Sequence, residues 1–344
     1  MTAMNYRSLA DMNDAIITNL HRLPRDIDLV VGIPRSGLLA ANLLSLVSNI
    51  PLTDLDSFLE GRVYSSGTSS KRTTRLDRNL DDMRRILVID DSIKSGDAIR
   101  RARTRIAEAG IKGDILFAAV YGLEATHPDI DVIFEQVSNP RVFQWNFMHH
   151  IVLEQACVDI DGVLCLDPTK QENDDGEAYR RFLNEALPLH ITSRKIGWLV
   201  TSRLEKYRDL TETWLKRQGI EYGELVMLDL PSADERRRQG AHGSFKGEFY
   251  RKANSTLFIE SEERQAEVIA RLSGKPVLCV ETHQMHLPDP LSAAAVRQQM
   301  RNLPTRLKQR GRSKGERWKL AARNVLGERA FQTLKKLVRP QPKS

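Results

Sequence analysis

Cysteine is scarce. Cys157, Cys165 and Cys279 are the only three in 344 residues. Their number is odd and no CxxC pair occurs, so neither a disulfide framework nor a zinc site is indicated, and a reducing cytoplasm is the expected compartment. No apolar run reaches the ~18 residues that a membrane-spanning helix needs. The opening stretch, MTAMNYRSLADMND, carries acids early and has no apolar core, so it does not read as a secretory signal. No internal repeat recurs at a fixed period. Hydrophobic residues at 41% and charged residues at 28% exclude disordered, collagen-like and disulfide-scaffold compositions.

Charge is plentiful but uneven. The net +7 and a pI near 9.3 invite a nucleic-acid reading. Yet residues 301–344 hold 14 Lys and Arg against two acids, Glu316 and Glu328, a net +12 that leaves −5 for the first 300 residues. The body is mildly acidic and the basicity belongs to a tail, so nucleic acid is not an expected partner. From Leu326 onward, Leu326, Ala330, Phe331, Leu334, Leu337 and Val338 fall on one helical face, with Glu328, Arg329, Lys335 and Lys336 on the other. Such a basic amphipathic helix lies on anionic membrane surfaces or docks its apolar face on the protein body.

The length fits about two domains. Apolar strand-like runs alternate with amphipathic helical stretches, the pattern of parallel α/β domains. The strands read as 27–33, 86–89, 114–121 and 131–134, then 157–160, 196–200, 225–228, 257–259 and 277–280. Helices are expected at 96–109 and 207–218. The polar, basic segment 65–78, with Lys71, Arg72 and Arg75, reads as a long functional loop, the lid that would close on a polyphosphate. The join between the halves is placed near 149–155, and residues 283–315 read as a linker. The expected organisation is therefore α/β, with two parallel-sheet Rossmann-like domains at 1–150 and 151–285 and a basic helical tail at 286–344.

In the first half, ILVIDDSIKSGDA (86–98) is a buried strand ending in two acids, followed by a small glycine-containing turn that opens a helix. Backbone N–H groups at a helix start, with Ser95 and Gly96, can cradle a phosphate, and adjacent carboxylates can hold hydroxyls or a hydrated magnesium ion. A strand-end Asp pair that merely caps a helix is the competing reading. VVGIPRSGL (30–38) is a second strand-to-helix turn, glycine-bearing and with an arginine, suited to pyrophosphate.

These strings resemble type I phosphoribosyltransferases over roughly residues 15–150. The resemblance implies a phosphoribosyltransferase fold, phosphoribosyl pyrophosphate (PRPP) as donor and Mg2+. Asp90 and Asp91 would bind the ribose hydroxyls. Lys94, Ser95, Gly96, Asp97 and Ala98 would enclose the 5-phosphate, and Gly32, Pro34, Arg35, Ser36 and Gly37 the pyrophosphate. Lys94 and Ala98 stand where threonines are usual. The stretch NPRVFQWNFMHH (139–150) offers Trp145, Asn146 and His149 as an acceptor wall, or else a strand face and packing at the domain junction.

In the second half, ACVDIDGVL (156–164) is a short buried strand ending in Asp-x-Asp-Gly. Carboxylates spaced by two point the same way from an extended chain, so one can attack phosphorus while the other moves protons. The further ligands of a calcium loop are absent. Later come GWLVTSR (197–203), Lys246 within SFKGEFY, and LFIESEE (257–263). In this order the four resemble the haloacid dehalogenase (HAD) superfamily over residues 156–282. The resemblance implies a HAD-like fold in which Asp159 is the nucleophile, Asp161 the general acid/base, and Thr201 and Lys246 hold the phosphoryl group. One Mg2+ would rest on Asp159, the Asp161 carbonyl and Glu260. Glu260 stands where aspartates are more usual, and Lys252 rivals Lys246. The spacings from Asp161 to Thr201 and from Thr201 to Lys246, about 40 and 45 residues, leave no room for a large cap, so an open site is expected.

The pairing is similar to two-domain ribofuranose-transferring proteins of bacterial surface polysaccharide assembly. That likeness implies transfer of 5-phosphoribose from PRPP to a glycan acceptor, inverting to a β-ribofuranoside, then loss of the 5-phosphate. The acceptor could be lipid-linked, with the enzyme cytoplasmic and peripheral on the inner membrane face. A base or nucleoside-like acceptor, or a PRPP-sensing regulator without catalysis, are the alternatives.

Overall fold

The computed structural model describes residues 4–64 and 83–288. The proposed basic lid (Lys71, Arg72, Arg75) and the amphipathic tail lie outside the described residues. Contacts divide the chain into two compact units. One is Arg7–Arg141; the other runs from Val142 and takes in Tyr6. The division falls ahead of the residue-150 join read from the sequence. The reason is packing: Val142, Phe147, Met148 and Leu153 join the apolar core of the second unit.

The chain opens with β1 (Asn5–Arg7) and α1 (Leu9–Asn19), whose first turn is closed by a reciprocal Ser8–Asp11 capping box. Then follow β2 (Leu29–Gly32), α2 (Ser36–Ser48), β3 (Leu52–Asp54), α3 (Leu55–Leu59), β4 (Arg85–Ile93), α4 (Asp97–Glu108), β5 (Asp114–Gly122) and β6 (Val132–Gln136). β2 to β6 form one all-parallel sheet ordered β3-β2-β4-β5-β6. Alternate residues Leu29, Val31, Ile86 and Val88 join a core with Leu55 and Phe58 of α3 and Ile99 and Ile106 of α4. Intervening positions such as Val30 and Leu87 face the side against which α2 packs. Burial on both faces is why LVV and ILVI are unbroken apolar runs.

β7 (Arg141–Phe143) pairs with β1, and after it come β8 (Ala156–Val158), α5 (Glu177–Glu185), β9 (Ile196–Leu204), α6 (Arg208–Arg217), β10 (Tyr222–Leu228), α7 (Ala233–Gln239), α8 (Ala241–Lys252), β11 (Leu257–Glu260), α9 (Glu263–Ser273), β12 (Val277–Cys279) and β13 (Gln284–His286), all of the second unit. Its sheet runs β10-β9-β8-β11-β12-β13, parallel except for β13. β13 sits inside the stretch read as linker from 283. Val158, Leu199 and Ile259 meet Tyr179 and Phe182 of α5 and Trp214 of α6; Cys157, Val200 and Phe258 meet Tyr250 of α8 and Ile269 of α9.

Strand order locates the sites. In chain order the first sheet reads 2-1-3-4-5 and the parallel part of the second 3-2-1-4-5, the two common doubly wound arrangements. Each has one point where the order reverses, and ligands bind beyond the strand C-termini there. Those points lie between β2 and β4, and between β8 and β11. Among the described residues no helix is long and apolar enough to cross a membrane.

Candidate functional site

At the first reversal, Gly32 ends β2 and the loop Ile33–Arg35 leads into α2, while β4 carries Asp90 and Asp91. β4 does not stop before these acids. Its ladder with β5 continues through Asp90↔Ala119 and Ser92↔Tyr121 to Ile93, so both carboxylates stand on a fixed strand. Ser36 Oγ donates to Asp91 Oδ1 at 2.8 Å, and the Asp91 N–H donates to Asp90 Oδ1 at 2.8 Å. Pro34 and Arg35 are exposed, and the peptide between them is cis. Gly37 is buried against the strand. A Cβ there would lie 2.8 Å from Ile89 O and 3.0 Å from Asp90 Oδ1, so only glycine lets the loop come this close.

Gly96 precedes α4, whose first residue Asp97 accepts from Ser95 Oγ at 2.7 Å and pairs with Arg100 at 2.5 Å. Lys94 and Ser95 are exposed, and Ala98 is half-buried. The structure thus brings the two predicted loops and the Asp pair to one end of one sheet. Trp145, Asn146 and His149 belong to the second unit by contacts. Trp145 stacks on Phe143 with ring centroids 4.8 Å apart, the Asn146 N–H bonds Phe143 O, and His149 Nδ1 lies 3.0 Å from Ser193 Oγ.

Burial, then the neighbouring Asp91 charge, pushes the Asp90 carboxyl up to about 8. Without a ligand Asp90 therefore keeps its proton near neutral pH, and a magnesium-bearing ligand would displace it. Above about pH 4 the unfolded chain has released this proton while the folded chain keeps it, so stability falls as pH rises from about 4 to about 8. Ligand-free protein should lose up to ~1.4 kcal/mol per pH unit in that window. In Asp90→Asn that part of the slope should vanish, as denaturant melts at pH 5, 6, 7 and 8 will test.

At the second reversal, Asp159 follows β8 and Glu260 ends β11. Lys246, from the middle of α8, reaches between them. Its Nζ donates to Asp159 Oδ2 at 2.6 Å, Glu260 Oε2 at 2.9 Å and Gln265 Oε1 at 3.2 Å. All three charged groups are buried. Lys252 is exposed at the far end of the same helix, so geometry separates the two lysines. Asp159 Oδ1 accepts from the Ile160 N–H, and Glu260 Oε1 from the Ser261 N–H. Gly162 turns the chain at φ +73; a Cβ there would lie 2.4 Å from Ser261 Cβ.

Asp161 is gripped by Arg203. Nη2 donates at 2.6 Å and Nε at 3.2 Å to each carboxylate oxygen, and the guanidinium is fully buried. β9 runs past Thr201 to Leu204, so Arg203 shares the strand with Thr201 and was not singled out from sequence, although a charge closing the apolar run GWLVTSR signals a buried partner. Burial alone would raise the Asp161 carboxyl, but Arg203 outweighs it and holds the group below the usual range. Lys246 is pushed up: burial opposes its charge, and Asp159 and Glu260 overcome it. Asp159 is raised well above its ordinary value by burial, with Glu260 and Asp161 adding to it against Lys246.

Asp159, Asp161, Thr201 and Lys246 line one cavity of about 650 Å³ together with Asp167, Tyr179, Ser202, Arg236, His242 and Glu262. Among the described residues no group of three or more His, Cys, Asp or Glu side chains forms a ready cation cage. A divalent cation would draw on the Asp159 and Glu260 carboxylates, each of which keeps one oxygen not bonded to Lys246.

Comparison with known proteins places the first region. Residues 5–149 match the family model described as Phosphoribosyl transferase domain. Among solved structures, the chain is similar to a purine phosphoribosyltransferase from Pyrococcus horikoshii, 22% identical over 41% of this chain and 93% of that one, with a TM-score of 0.29. It is also similar to the xanthine-guanine-hypoxanthine phosphoribosyltransferase of Helicobacter pylori, 12% identical over 42% and 94%, with a TM-score of 0.30. No curated protein matches the chain. The chain therefore carries, over residues 5–149, a phosphoribosyltransferase domain.

Proposed function

We propose that this protein performs two reactions in sequence: transfer of 5-phosphoribose from PRPP to a glycan hydroxyl, and removal of the 5-phosphate by a HAD-like phosphatase domain. The supporting observation is the buried Asp159–Lys246–Glu260 cluster at a 650 Å³ cavity, in the same chain as a phosphoribosyltransferase domain. Salvage of a base to a nucleotide needs the 5-phosphate, and a phosphatase on the same chain would undo it. The combination has a purpose when the product is an unphosphorylated ribofuranosyl group.

In the first reaction the acceptor oxygen forms a bond to C1 of the ribose, the C1–O bond to pyrophosphate breaks, and the acceptor proton is lost. Attack from the face opposite the leaving group gives a β-ribofuranoside. Asp90 and Asp91 would orient the ribose hydroxyls, the 94–98 turn the 5-phosphate and the 32–37 loop the pyrophosphate. Mg2+ bound with PRPP would supply charge neutralisation for the departing pyrophosphate.

In the second reaction an Asp159 oxygen attacks phosphorus and the bond from phosphorus to the ribose 5-oxygen breaks. The alkoxide takes its proton from solvent, and water then attacks the aspartyl-phosphate, regenerating the Asp159 carboxylate and releasing phosphate. Lys246 and Thr201 would steady the phosphoryl oxygens. Asp161, kept ionised by Arg203, is in the form that takes the proton from that water. A Mg2+ held by Asp159, Glu260 and the Asp161 carbonyl would neutralise phosphoryl charge. The +12 tail would hold the enzyme at an anionic membrane, where a lipid-linked glycan resides.

The test is incubation with PRPP, Mg2+ and a panel of glycan, base and nucleoside acceptors, following pyrophosphate and phosphate separately. Glycan-dependent release of both, in equal amounts, is expected. Pyrophosphate release with a base alone, and no phosphate, would overturn the proposal.

A further inference from the structure

Three cations are buried around the cavity of the second unit, and two of them are spent on carboxylates. Lys246 pairs with Asp159 and Glu260, and Arg203 with Asp161. The third, Arg236 of α7, is 6% exposed and lines the same cavity, but has no carboxylate within ion-pair distance among the described residues. Its Nη1 donates to the Ser202 carbonyl at 2.8 Å, while its Nε has no partner. Ser202 Oγ, on the residue next to Thr201, is likewise buried without a partner and belongs to the same lining. A buried guanidinium without a counter-ion beside an unsatisfied hydroxyl is costly unless something supplies the anion.

Elsewhere in this unit the same problem is solved internally. Lys275, also buried and without a carboxylate, donates to the carbonyls of Tyr250 and Ala253 at 2.8 and 2.6 Å. Arg236 has only the one carbonyl and a contact with the Tyr179 hydroxyl. His242, in the same lining, is pushed down to about 4, by burial first and then by Arg236 and Lys246, and so adds no charge of its own.

Resting on the phosphatase reading, we propose that Arg236 and Ser202 form an oxyanion subsite that takes the phosphoryl group of the substrate monoester as the missing counter-ion of Arg236. The Arg236 bond to the Ser202 carbonyl ties the guanidinium to the segment that carries Thr201. The phosphoryl group is thereby bracketed between Arg236 and Ser202 on one side and Lys246 on the other. The subsite recognises a tetrahedral dianion and is indifferent to the alcohol it is esterified to.

The test is calorimetric titration of the full-length protein with orthophosphate, which reads binding without turnover. Arg236→Gln should weaken orthophosphate by ~10- to 100-fold and Ser202→Ala by ~3- to 10-fold, the loss expected for one charged and one neutral hydrogen bond. Arg236→Lys, keeping the charge without the fork, should recover part. Hydrolysis of p-nitrophenyl phosphate should show the loss in KM more than in kcat. Ser202→Ala leaves the Arg236–carbonyl bond in place, so it decides the matter even where Arg236→Gln fails to fold. Unchanged orthophosphate affinity in Ser202→Ala, with Arg236→Gln either unchanged or unfolded, overturns the subsite, as does a native protein that binds no orthophosphate. Failure of the phosphatase reading shows differently: hydrolysis would be unaffected by Asp159→Asn, while the binding comparison still judges the subsite.

Discussion

Asp159→Asn is expected to release pyrophosphate at the native rate while phosphate release falls by ~10³-fold or more, the scale of losing a covalent nucleophile. The acceptor should then accumulate in a form heavier by one phosphoryl group, visible by mass spectrometry. The substitution keeps the side chain's shape and its Oδ1 contact with the Ile160 N–H, so the fold should survive. It removes the charge and the attacking lone pair, and with them the bond from Lys246 Nζ to Oδ2, while Glu260 still holds that lysine. Loss of both activities together would mean that Asp159 supports the chain as a whole and is no nucleophile.

The second large effect concerns stability. Lys246→Met should destabilise the second unit by ~3–5 kcal/mol, because it leaves Asp159 and Glu260 buried without their shared cation. The penalty should shrink as pH falls. Without Lys246 the folded state holds protons on these carboxylates that the unfolded chain has already released, so lowering pH favours the folded form. Denaturant unfolding of native and variant protein between pH 5 and pH 8 measures this. A Lys246→Met/Glu260→Gln double variant should recover part of the loss, since one of the stranded charges is gone. A penalty that does not vary with pH would show that packing of the Lys246 stem, and not charge, sets it.

Much of this was legible in the sequence, and for a definite reason. Strands buried on both faces are written as unbroken apolar runs, so LVV, ILVI and LFI announce themselves, and chemistry placed at their ends is read with them. Asp90 and Asp91 lie in the last part of β4, Asp159 follows β8 and Glu260 ends β11. Short edge elements were not: β3, with three residues, and β13, hidden in a polar stretch, carry too little pattern. Strand ends were misplaced where acids or hydroxyls continue a ladder, as Asp90 and Asp91 do in β4 and Thr201 does in β9. The phosphoribosyltransferase match ends at residue 149, beside the join read near 150, while contacts place Val142 and Phe147 in the second core, a membership that depends on distant partners.

Arg236 was invisible for a different reason. It opens the run Arg236-Arg237-Arg238 on a short helix, which by composition is a solvated charged face. Arg237 and Arg238 are exposed and pair with Asp234 and Glu235 within that helix. Only the fold turns the first of the three inward. Arg203 lies within GWLVTSR, yet its grip on Asp161 joins positions 42 residues apart, a relation no local pattern encodes.

The central claim is that the phosphate released in the second reaction is the one that entered on PRPP. The most direct measurement uses PRPP labelled with radioactive phosphorus in its 5-phosphate, incubated with the protein, Mg2+ and an accepting glycan. The account predicts that the label ends as inorganic phosphate with the native protein and stays on the glycan with Asp159→Asn. Label retained on the product of the native protein, or recovered in a nucleotide, would contradict it.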